Sequence, residues 1–163
     1  MTKNNHWYAL YTKSRTEKKV VQEIEEMGYI GYVPLITKIK KWSDREKRVE
    51  EPLIKSYVFV KANKSERYKI IKQITGAVMY ITFEGEAAPI PEWQINSLRK
   101  IVENKTPFNL SSEKLKPGQH VTIKEGQFKD CQGEMIRVKG NKKFVVRLDA
   151  VGFELTIDYS EIC

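Results

Sequence analysis

Residues 118 to 133 read GQHVTIKEGQFKDCQG, and three glycines punctuate one short segment in which apolar and polar side chains alternate. The alternation VTIK has the period of a strand that buries one face. Gly126 and Gly133 are expected where the backbone turns sharply or takes a positive φ. Phe128 lies between them in a polar loop, where the sequence indicates no core for its ring to enter. An exposed aromatic ring is therefore predicted here.

The chain from this stretch to its end contains several short segments rich in β-branched and aromatic residues. The predicted strands are Val121–Ile123, Glu134–Val138, Phe144–Leu148 and Phe153–Ile157, with a turn at 139–142. Glycines between them would interrupt a helix at about 1 kcal/mol each relative to alanine. Short strands at this spacing predict a small β-barrel from about residue 116 to residue 162.

The N-terminal half has the order strand, helix, strand, strand, helix, strand, helix. The predicted strands are Trp7–Thr12, Tyr29–Leu35, Ser56–Val60 and Ala77–Phe83; helices begin at a capping-box pattern Ser14–Glu17, near Ser65 and at Pro91. A basic hairpin or a mobile loop, with a turn near Ser43-Asp44, is predicted over residues 36–50. This order resembles a ferredoxin-like antiparallel sheet with helices packed on it, so the fold class is α+β.

The net charge of +8 is carried entirely by the first part of the chain. Residues 1–72 hold 17 Lys and Arg against 9 Asp and Glu, whereas residues 73–163 hold 12 of each. A basic lobe beside a neutral one indicates a polyanionic partner. Solubilising lysine accounts for the same charge equally well.

Several function classes lack support in the sequence. No nucleophile elbow, P-loop, dinucleotide-binding glycine motif or metalloprotease motif occurs, so binding is favoured over catalysis and no enzyme is expected. The two cysteines, Cys131 and Cys163, are not closely spaced, and with His6 and His120 they make a poor zinc set. Neither a metal nor a cofactor is expected. No apolar run suits a membrane helix or a signal peptide, which predicts a cytoplasmic protein.

Three stretches together resemble one family. The opening strand WYALYTK at 7–13, the strand EPLIKSYVFV at 51–60 and the glycine-punctuated stretch at 118–133 are similar to the NusG family of transcription elongation factors. In that family an N-terminal NGN domain precedes a KOW domain, which is an SH3-like barrel. Lys55-Ser56 departs from the Pro-Gly or Pro-Asn of many members. The lead-in Glu51-Pro52-Leu53 looks closer to the specialised RfaH and UpxY type than to general NusG.

The resemblance implies a domain layout and a set of partners. We expect an NGN domain over 1–104, a linker over 105–113 and a KOW β-barrel over 114–163. The family's NGN domain docks on the clamp helices of the RNA polymerase β′ subunit, reaches the β-subunit pincer, and opposes pausing. Non-template DNA is an expected partner. Nascent RNA, a small-subunit ribosomal protein and Rho are further candidates, and the protein is expected to be a monomer. The implied function is transcription elongation and antitermination.

The resemblance also implies a polymerase-binding site. The matching positions of the aromatic pocket are Tyr11, Tyr57 and Phe59, with Pro52 beside them. Tyrosine buries a ring and keeps a wet hydroxyl, which suits an interface. Phe59 serves equally well as plain core. The second polymerase contact is expected at Arg67, Tyr68 and Lys69, which open the second helix.

Nucleic acid and the barrel partner are expected to meet other residues. The predicted nucleic-acid-binding positions, where the first strand ends and the first helix begins, are Lys13, Arg15, Thr16, Lys18 and Lys19. Cations are unfavourable near a helix N-terminus, which suggests that they serve a contact, with a solvated helix face as the alternative. Phe128 is the predicted partner-binding aromatic of the barrel, with a loop anchor as the alternative.

One rival interpretation stays open at this stage. KOW barrels occur in ribosomal proteins, and a ferredoxin-like sheet with aromatics resembles RNA-recognition folds. The alternative function is therefore an RNA-binding or ribosome-associated translation module. That class calls for Lys/Arg-Gly-Phe/Tyr-x-Phe on the strand, whereas this chain has Ser56-Tyr57-Val58-Phe59 without a preceding glycine.

Overall fold

A computed structural model describes residues 5 to 162; residues 1–4 and Cys163, one of the cysteines weighed for a zinc set, lie outside the described residues. The chain divides into two units, with the first extending to Pro89 and the second beginning at Ile90. Within residues 5–162, none of the helices is long and apolar enough to span a bilayer. The two units are described separately.

The first unit is built on a four-stranded sheet and two helices. Its elements are β1 (His6–Thr12), α1 (Glu17–Glu26), β2 (Ile30–Tyr32), β3 (Leu35–Trp42), β4 (Arg45–Pro52), β5 (Tyr57–Ala62), α2 (Lys64–Gln73), β6 (Ala77–Tyr80), β7 (Thr82–Phe83) and β8 (Glu86–Ala87). The sheet order is β2-β5-β1-β6, and every pairing is antiparallel. This is the strand order of a ferredoxin-like sheet, so the predicted fold class is confirmed.

Alternation along β1 and β5 separates the two faces of this sheet. Tyr8 and Leu10 on β1, with Val58 and Val60 on β5, pack into one buried cluster with the apolar residues of both helices, including Ile24 of α1. Three to four apolar residues per two helical turns are enough to hold a helix on a sheet in this way. The intervening residues of β1 and β5 therefore point to the opposite face, and they include the candidate site tyrosines.

The first helix begins differently from the sequence prediction. The expected capping box at Ser14–Glu17 is wrong, because Thr16 is the N-cap of α1 and its hydroxyl donates to the Lys13 carbonyl at 2.6 Å. A reciprocal capping box occurs instead at α2. There the Asn63 side chain accepts from the Glu66 N–H at 2.9 Å, and the Glu66 carboxylate accepts from the Asn63 N–H at 3.2 Å.

The predicted basic hairpin is confirmed. Strands β3 and β4 pair antiparallel over their full length and are joined by the two residues Ser43 and Asp44. They form a two-stranded sheet of their own, separate from the four-stranded sheet. A short loop of polar residues that tolerate unusual turn conformations suits this connection.

The second unit contains one α-helix and a five-stranded antiparallel sheet. Its elements are α3 (Glu92–Glu103), β9 (Asn109–Ser111), β10 (Gln119–Thr122), β11 (Gln132–Val138), β12 (Asn141–Leu148) and β13 (Phe153–Asp158), with 3-10 turns at Asp149–Val151 and Tyr159–Glu161. The sheet order is β10-β11-β12-β13-β9, which confirms the predicted β domain. Helix α3 packs against β11 and β12.

The structure differs from the expected layout around residues 90–113. The compact division places α3 with the β domain, whereas the sequence indicates a boundary after residue 104. The predicted linker contains β9, in which Leu110 pairs with Leu155 of β13. A three-residue strand at a sheet edge shows too few alternations to be recognised in the sequence.

The two glycines singled out in the sequence serve different purposes. Gly126 has a φ of 85°, as predicted. Gly133 instead lies within β11, where a Cβ atom would stand 2.5 Å from the Val145 carbonyl oxygen and 2.7 Å from the Phe144 ring. Gly133 is therefore required by the close approach of two strands and not by a turn.

Candidate functional site

The two candidate tyrosines form a pair on the outer face of the main sheet. Tyr11 at the end of β1 lies directly opposite Tyr57 at the start of β5, and their ring centroids are 5.5 Å apart in an edge-to-face arrangement at 62°. Tyr11 is 38% exposed and Tyr57 is half-buried. Met79 of β6 lies opposite Tyr11 on the other side and is also exposed. We call Tyr11, Tyr57 and Met79 the aromatic patch.

The sequence offered no signal for Met79. It lies in the edge strand β6, which is only four residues long, and its face depends on a register shift between β1 and β6 near Tyr11. A flexible thioether beside two rings gives a surface that adapts to an apolar partner. The patch thus combines two hydrogen-bonding hydroxyls with a deformable apolar group.

Phe59 lies on the same face of the sheet as the aromatic patch but is buried there. Its side chain is 1% exposed, pairs with Ala9 across the ladder, and stacks on Tyr32 with ring centroids 6.4 Å apart. A ring without accessible surface in this structure offers a partner nothing directly. Of the two interpretations that the sequence left open for Phe59, its position matches the core one.

Pro52 belongs to a different sheet from the aromatic patch. It ends β4 opposite Leu35 at the base of the two-stranded hairpin and is half-buried. The chain then turns back through Leu53, whose N–H donates to the Pro34 carbonyl at 2.8 Å, toward β5. Pro52 thus lies between the hairpin and the strand that carries Tyr57.

The residues expected to make a second contact lie on α2 and point in different directions. The Arg67 guanidinium stands 4.1 Å from the centre of the Tyr8 ring, and the Arg67 carbonyl accepts from the Tyr80 hydroxyl at 2.8 Å. Burial raises the pKa of Tyr80 well above its ordinary range, so this hydroxyl remains a donor. Arg67 is therefore turned toward the sheet. Tyr68, which is 61% exposed, and the exposed Lys69 remain available to a partner.

The segment between β1 and α1 carries the predicted nucleic-acid contacts. Lys13, Arg15, Lys18 and Lys19 are all exposed, and Thr16 is half-buried. The segment is fixed by backbone bonds, since the Lys13 N–H donates to the Gly76 carbonyl at 2.9 Å. We call these four cations the α1 basic segment.

Gly76 makes this arrangement possible by having no side chain. A Cβ atom there would stand 2.7 Å from the Val20 side chain and 3.0 Å from the Thr16 hydroxyl. The start of β6 can therefore lie against the start of α1 only with glycine at this position.

Two residues next to the candidate contacts adopt the left-handed conformation. Arg15 has a φ of 63° and Ser56 a φ of 68°. Such a backbone costs a non-glycine residue roughly 1–2 kcal/mol. At Ser56 this is the conformation that Gly or Asn favours, so the departure Lys55-Ser56 from the family pattern retains the expected turn.

Glu17 holds this turn in place. Its buried carboxylate accepts from the Ser56 N–H at 3.1 Å, which joins the first turn of α1 to the start of β5. The sequence predicted a different partner for Glu17, namely Ser14 in a capping box at the start of the same helix. The side chain instead connects the α1 basic segment to the strand that carries Tyr57.

Phe128 is buried, contrary to the exposed ring expected from its polar loop. The side chain is 1% exposed. The loop folds back on itself, because the Cys131 N–H donates to the Phe128 carbonyl at 3.0 Å and the Asp130 N–H donates to the Ile123 carbonyl at 2.7 Å. This closure places the ring in the core of the β domain, as in the loop-anchor alternative.

Side chains of helix α3 and its C-cap form hydrogen bonds with the same loop. The Ser97 hydroxyl donates to the Gln132 carbonyl at 3.2 Å and accepts from the Gln132 N–H at 3.0 Å. The Asn104 amide donates to the Gln127 carbonyl at 3.3 Å, and the Lys100 ammonium donates to the Lys129 carbonyl. The loop of residues 126–133 is therefore held at several backbone positions.

Groups suited to catalysis are scarce in the part of the chain that the structure describes. Burial raises the pKa of the Cys131 thiol, with the Lys100 ammonium opposing the shift, so the thiolate is disfavoured. No cluster of three or more His, Cys, Asp or Glu side chains suited to a metal ion occurs among residues 5–162. The candidate site therefore consists of binding surfaces, namely the aromatic patch and the α1 basic segment.

Comparisons with known proteins agree with this description. A family model for transcription termination factor NusG matches residues 5–99. The transcription termination/antitermination protein NusG of Rickettsia conorii is 19% identical over 171 residues, which cover 96% of this chain and 88% of that protein.

Two solved structures show a weaker likeness. A Thermotoga maritima NusG structure, described by its domain interaction, has a TM-score of 0.47 at 20% identity, covering 97% of this chain and 96% of that one. Conformation B of the MjSpt4:Spt5 complex has a TM-score of 0.30 at 20% identity, covering 96% of this chain and 95% of that one.

Proposed function

The chain belongs to the NusG family of transcription factors, and from this premise we propose that it binds elongating RNA polymerase through its N-terminal unit and opposes pausing or termination. The observation that carries the proposal is the aromatic patch. Paired tyrosines that are half-exposed at the end of two central strands have the composition of an interface hot spot. Factors of this family are binding proteins and not enzymes.

We assign the patch to the clamp helices of the polymerase β′ subunit, as the family resemblance implies. An apolar helical tip would pack against both rings while the hydroxyls stay at the wet rim. Pro52 would border this contact, and the buried Phe59 would support it from the adjacent position on the same face of β5. Tyr68 and Lys69 are the residues of α2 that we assign to the β-subunit pincer, with Arg67 acting through its contact with the Tyr8 ring.

We assign the α1 basic segment to the non-template DNA strand. Phosphate contacts from Lys13, Lys18 and Lys19 would supply affinity, and the guanidinium of Arg15 is suited to a base edge. The left-handed backbone of Arg15 is a local strain of the kind that occurs often at binding sites. Thr16 donates to Lys13 and would act by holding the segment.

We further propose that the factor is specialised, in the manner of the RfaH and UpxY type, and acts on particular operons. The lead-in Glu51-Pro52-Leu53 to β5 supports this assignment. Rho, a ribosomal protein and nascent RNA remain candidate partners of the β domain. Because Phe128 is buried, it would shape the loop that meets such a partner.

The direct test uses core RNA polymerase. We expect the tagged full-length chain to retain the purified core enzyme through a wash, and to lower the dwell time at pause sites in single-round transcription. Failure to retain polymerase would contradict the proposal, whatever the chain does with free nucleic acid. Retention together with longer pauses would contradict its antipausing part.

A charge-reversal pair tests the DNA assignment. The double variant Lys18→Glu, Lys19→Glu should weaken recruitment to a paused elongation complex, and the slope of log K against log salt should fall by about 1.4, since each single-strand phosphate contact contributes roughly 0.7. The control Lys114→Glu, Lys124→Glu makes the same change in charge at two exposed positions of the β domain. An unchanged slope, or an equal change in the control, would show that the segment does not meet phosphates.

A further inference from the structure

Apart from Pro52 at its base, the hairpin of β3 and β4 is an exposed arm that the proposed function leaves unused. Its ladder runs in register from Leu35 opposite Pro52 to Trp42 opposite Arg45, which at about 3.3 Å per residue extends roughly 25 Å. Every residue from 37 to 48 is exposed. Since a two-stranded ribbon by itself contributes little to stability, the arm adds little to the fold of the unit.

The two faces of this arm carry different charge. Residues directly opposite in the ladder share a face, and the face alternates along each strand. One face, which we call the basic face, carries Lys38, Lys40, Arg45 and Lys47 against Glu51, a net charge of +3. The other face, which we call the neutral face, carries Lys41 and Arg48 against Glu46 and Glu50, a net charge of zero. Lysines that served only solubility would not need to be concentrated on one face of the hairpin.

The basic face also carries an exposed indole. Trp42 is the last residue of β3, is 58% exposed, and lies directly opposite Arg45 at the tip. An aromatic ring among cations is the combination with which proteins hold a single strand, since phosphates meet the charges and an unpaired base stacks on the ring. A duplex would keep its bases inside and leave the indole without a stacking partner.

Glu51 orders the base of this face. Its carboxylate lies 2.7 Å from the Lys40 ammonium and 3.5 Å from that of Lys38. The hydrogen bond from Lys40 lowers the pKa of Glu51, so the carboxylate stays charged and holds both lysines on one side of the arm. The two ammonium groups keep about half of their side-chain surface exposed and therefore remain accessible to phosphate.

The arm adjoins the α1 basic segment. The Lys18 ammonium donates to the Glu50 carbonyl at 3.1 Å, which connects the first helix to the base of β4. Both surfaces belong to the first unit. A strand that meets the α1 basic segment can thus continue toward the hairpin.

We propose that the basic face of the β3–β4 hairpin is a second binding site for single-stranded DNA, with its cations on phosphates and Trp42 stacked on an unpaired base. The choice of DNA over RNA rests on the proposed function, which brings the non-template strand to the neighbouring α1 basic segment. The binding itself needs no polymerase and is tested without it.

The charge test compares the two faces at constant net charge. Lys40→Gln, Lys47→Gln removes two cations from the basic face, and Lys41→Gln, Arg48→Gln removes two from the neutral face. Binding of a labelled oligonucleotide of about 20 nucleotides is followed by anisotropy between about 50 and 300 mM salt. The basic-face variant should bind about 25-fold more weakly at 0.1 M salt, with a salt slope lower by about 1.4, and the neutral-face variant should stay close to the parent.

The stacking test uses a matched apolar pair. Trp42→Ala should weaken binding at least fivefold and abolish the quenching of indole fluorescence by the oligonucleotide, whereas Trp42→Phe should retain most of the affinity. The control Ile39→Ala removes a side chain of similar exposure from the neutral face and should have little effect. Circular dichroism of each variant checks that the sheet is kept.

The outcomes separate this proposal from the polymerase proposal. Equal losses for the two faces, no binding of single-stranded DNA by the parent chain, or tighter binding of single-stranded RNA or duplex DNA would each overturn it. Retention of polymerase by the parent chain is measured independently and can fail or succeed regardless. Reduced DNA binding by the basic-face variant with polymerase retention unchanged is the expected combination.

Discussion

Tyr57→Ala and Tyr11→Ala should each weaken binding to core RNA polymerase by about 2 kcal/mol, which is roughly 30-fold in Kd. The expectation rests on the aromatic patch, where two rings 5.5 Å apart lie on the outer face at the end of the central strands. Removing one tyrosine ring removes its own contact with polymerase. It also removes the edge-to-face contact that orients the remaining tyrosine ring. Binding is measured with the labelled full-length chain and purified core enzyme.

A control and a double variant make this prediction sharper. Phe83→Ala removes an aromatic ring that is 71% exposed on the β7–β8 hairpin of the same unit, and it should leave affinity unchanged. The double variant Tyr11→Ala, Tyr57→Ala should lose less than the sum of the two single losses, because contacting residues that fill one pocket are coupled. Folded single variants that bind polymerase as tightly as the parent would exclude the patch as the interface.

The fold was predictable because its main signals are local. A run that is apolar on both faces placed β5, short β-branched and aromatic runs placed the strands of the β domain, and the polar pair Ser43-Asp44 placed the hairpin turn. The sheet order then followed from chain order, since few topologies suit a strand–helix–strand–strand–helix–strand sequence. The three-residue strand β9 and the packing of α3 on β11 and β12 carry no local signal, because both depend on surfaces formed elsewhere in the chain.

The site was less predictable because accessibility is a tertiary property. Tyr57 and Phe59 lie two positions apart on the same face of β5 and look alike in sequence. Only Tyr57 reaches the surface, because Phe59 stacks on Tyr32. Phe128 sits among polar residues, which indicates exposure, yet backbone bonds close the loop and bury the ring. Glu17 illustrates the same limit, since its partner Ser56 lies 39 positions away.

Arg147→Met should destabilise the β domain by about 3 kcal/mol, the range in which breaking a largely buried ion pair falls. The Arg147 guanidinium bonds the carboxylates of Glu134 on β11 and Glu154 on β13, and it donates to the carbonyls of Leu115 at 3.0 Å and Lys116 at 2.9 Å. These side chains are between 8% and 21% exposed. One substitution thus leaves two carboxylates and two carbonyls without their shared donor.

The measurement is amide hydrogen exchange of the strands β11 to β13 in the full-length chain, since a two-unit chain has no single unfolding transition. The control is Lys143→Met on β12, which breaks the ion pair of 2.7 Å with Asp158. That carboxylate is 60% exposed, so the loss should stay below about 1 kcal/mol. Equal protection in Arg147→Met and the parent would show that the cluster contributes nothing to the domain.

The same variant should reverse the pH dependence of this domain. In the parent, burial raises the pKa of Glu134, but the hydrogen bond and charge of Arg147, together with the Gly118 N–H and the nearby His120, outweigh burial and leave the pKa below the ordinary value of 4.5. The stabilisation from Glu134 is therefore present above pH 4.5 and is lost as the pH falls through the lowered value. Without the guanidinium, only burial and the weaker partners remain, so protonation of Glu134 becomes favourable to folding. Protection of β11 to β13 should then rise as the pH falls from neutrality toward 5, whereas a parent-like profile in the variant would mean that Arg147 does not set the charge of Glu134.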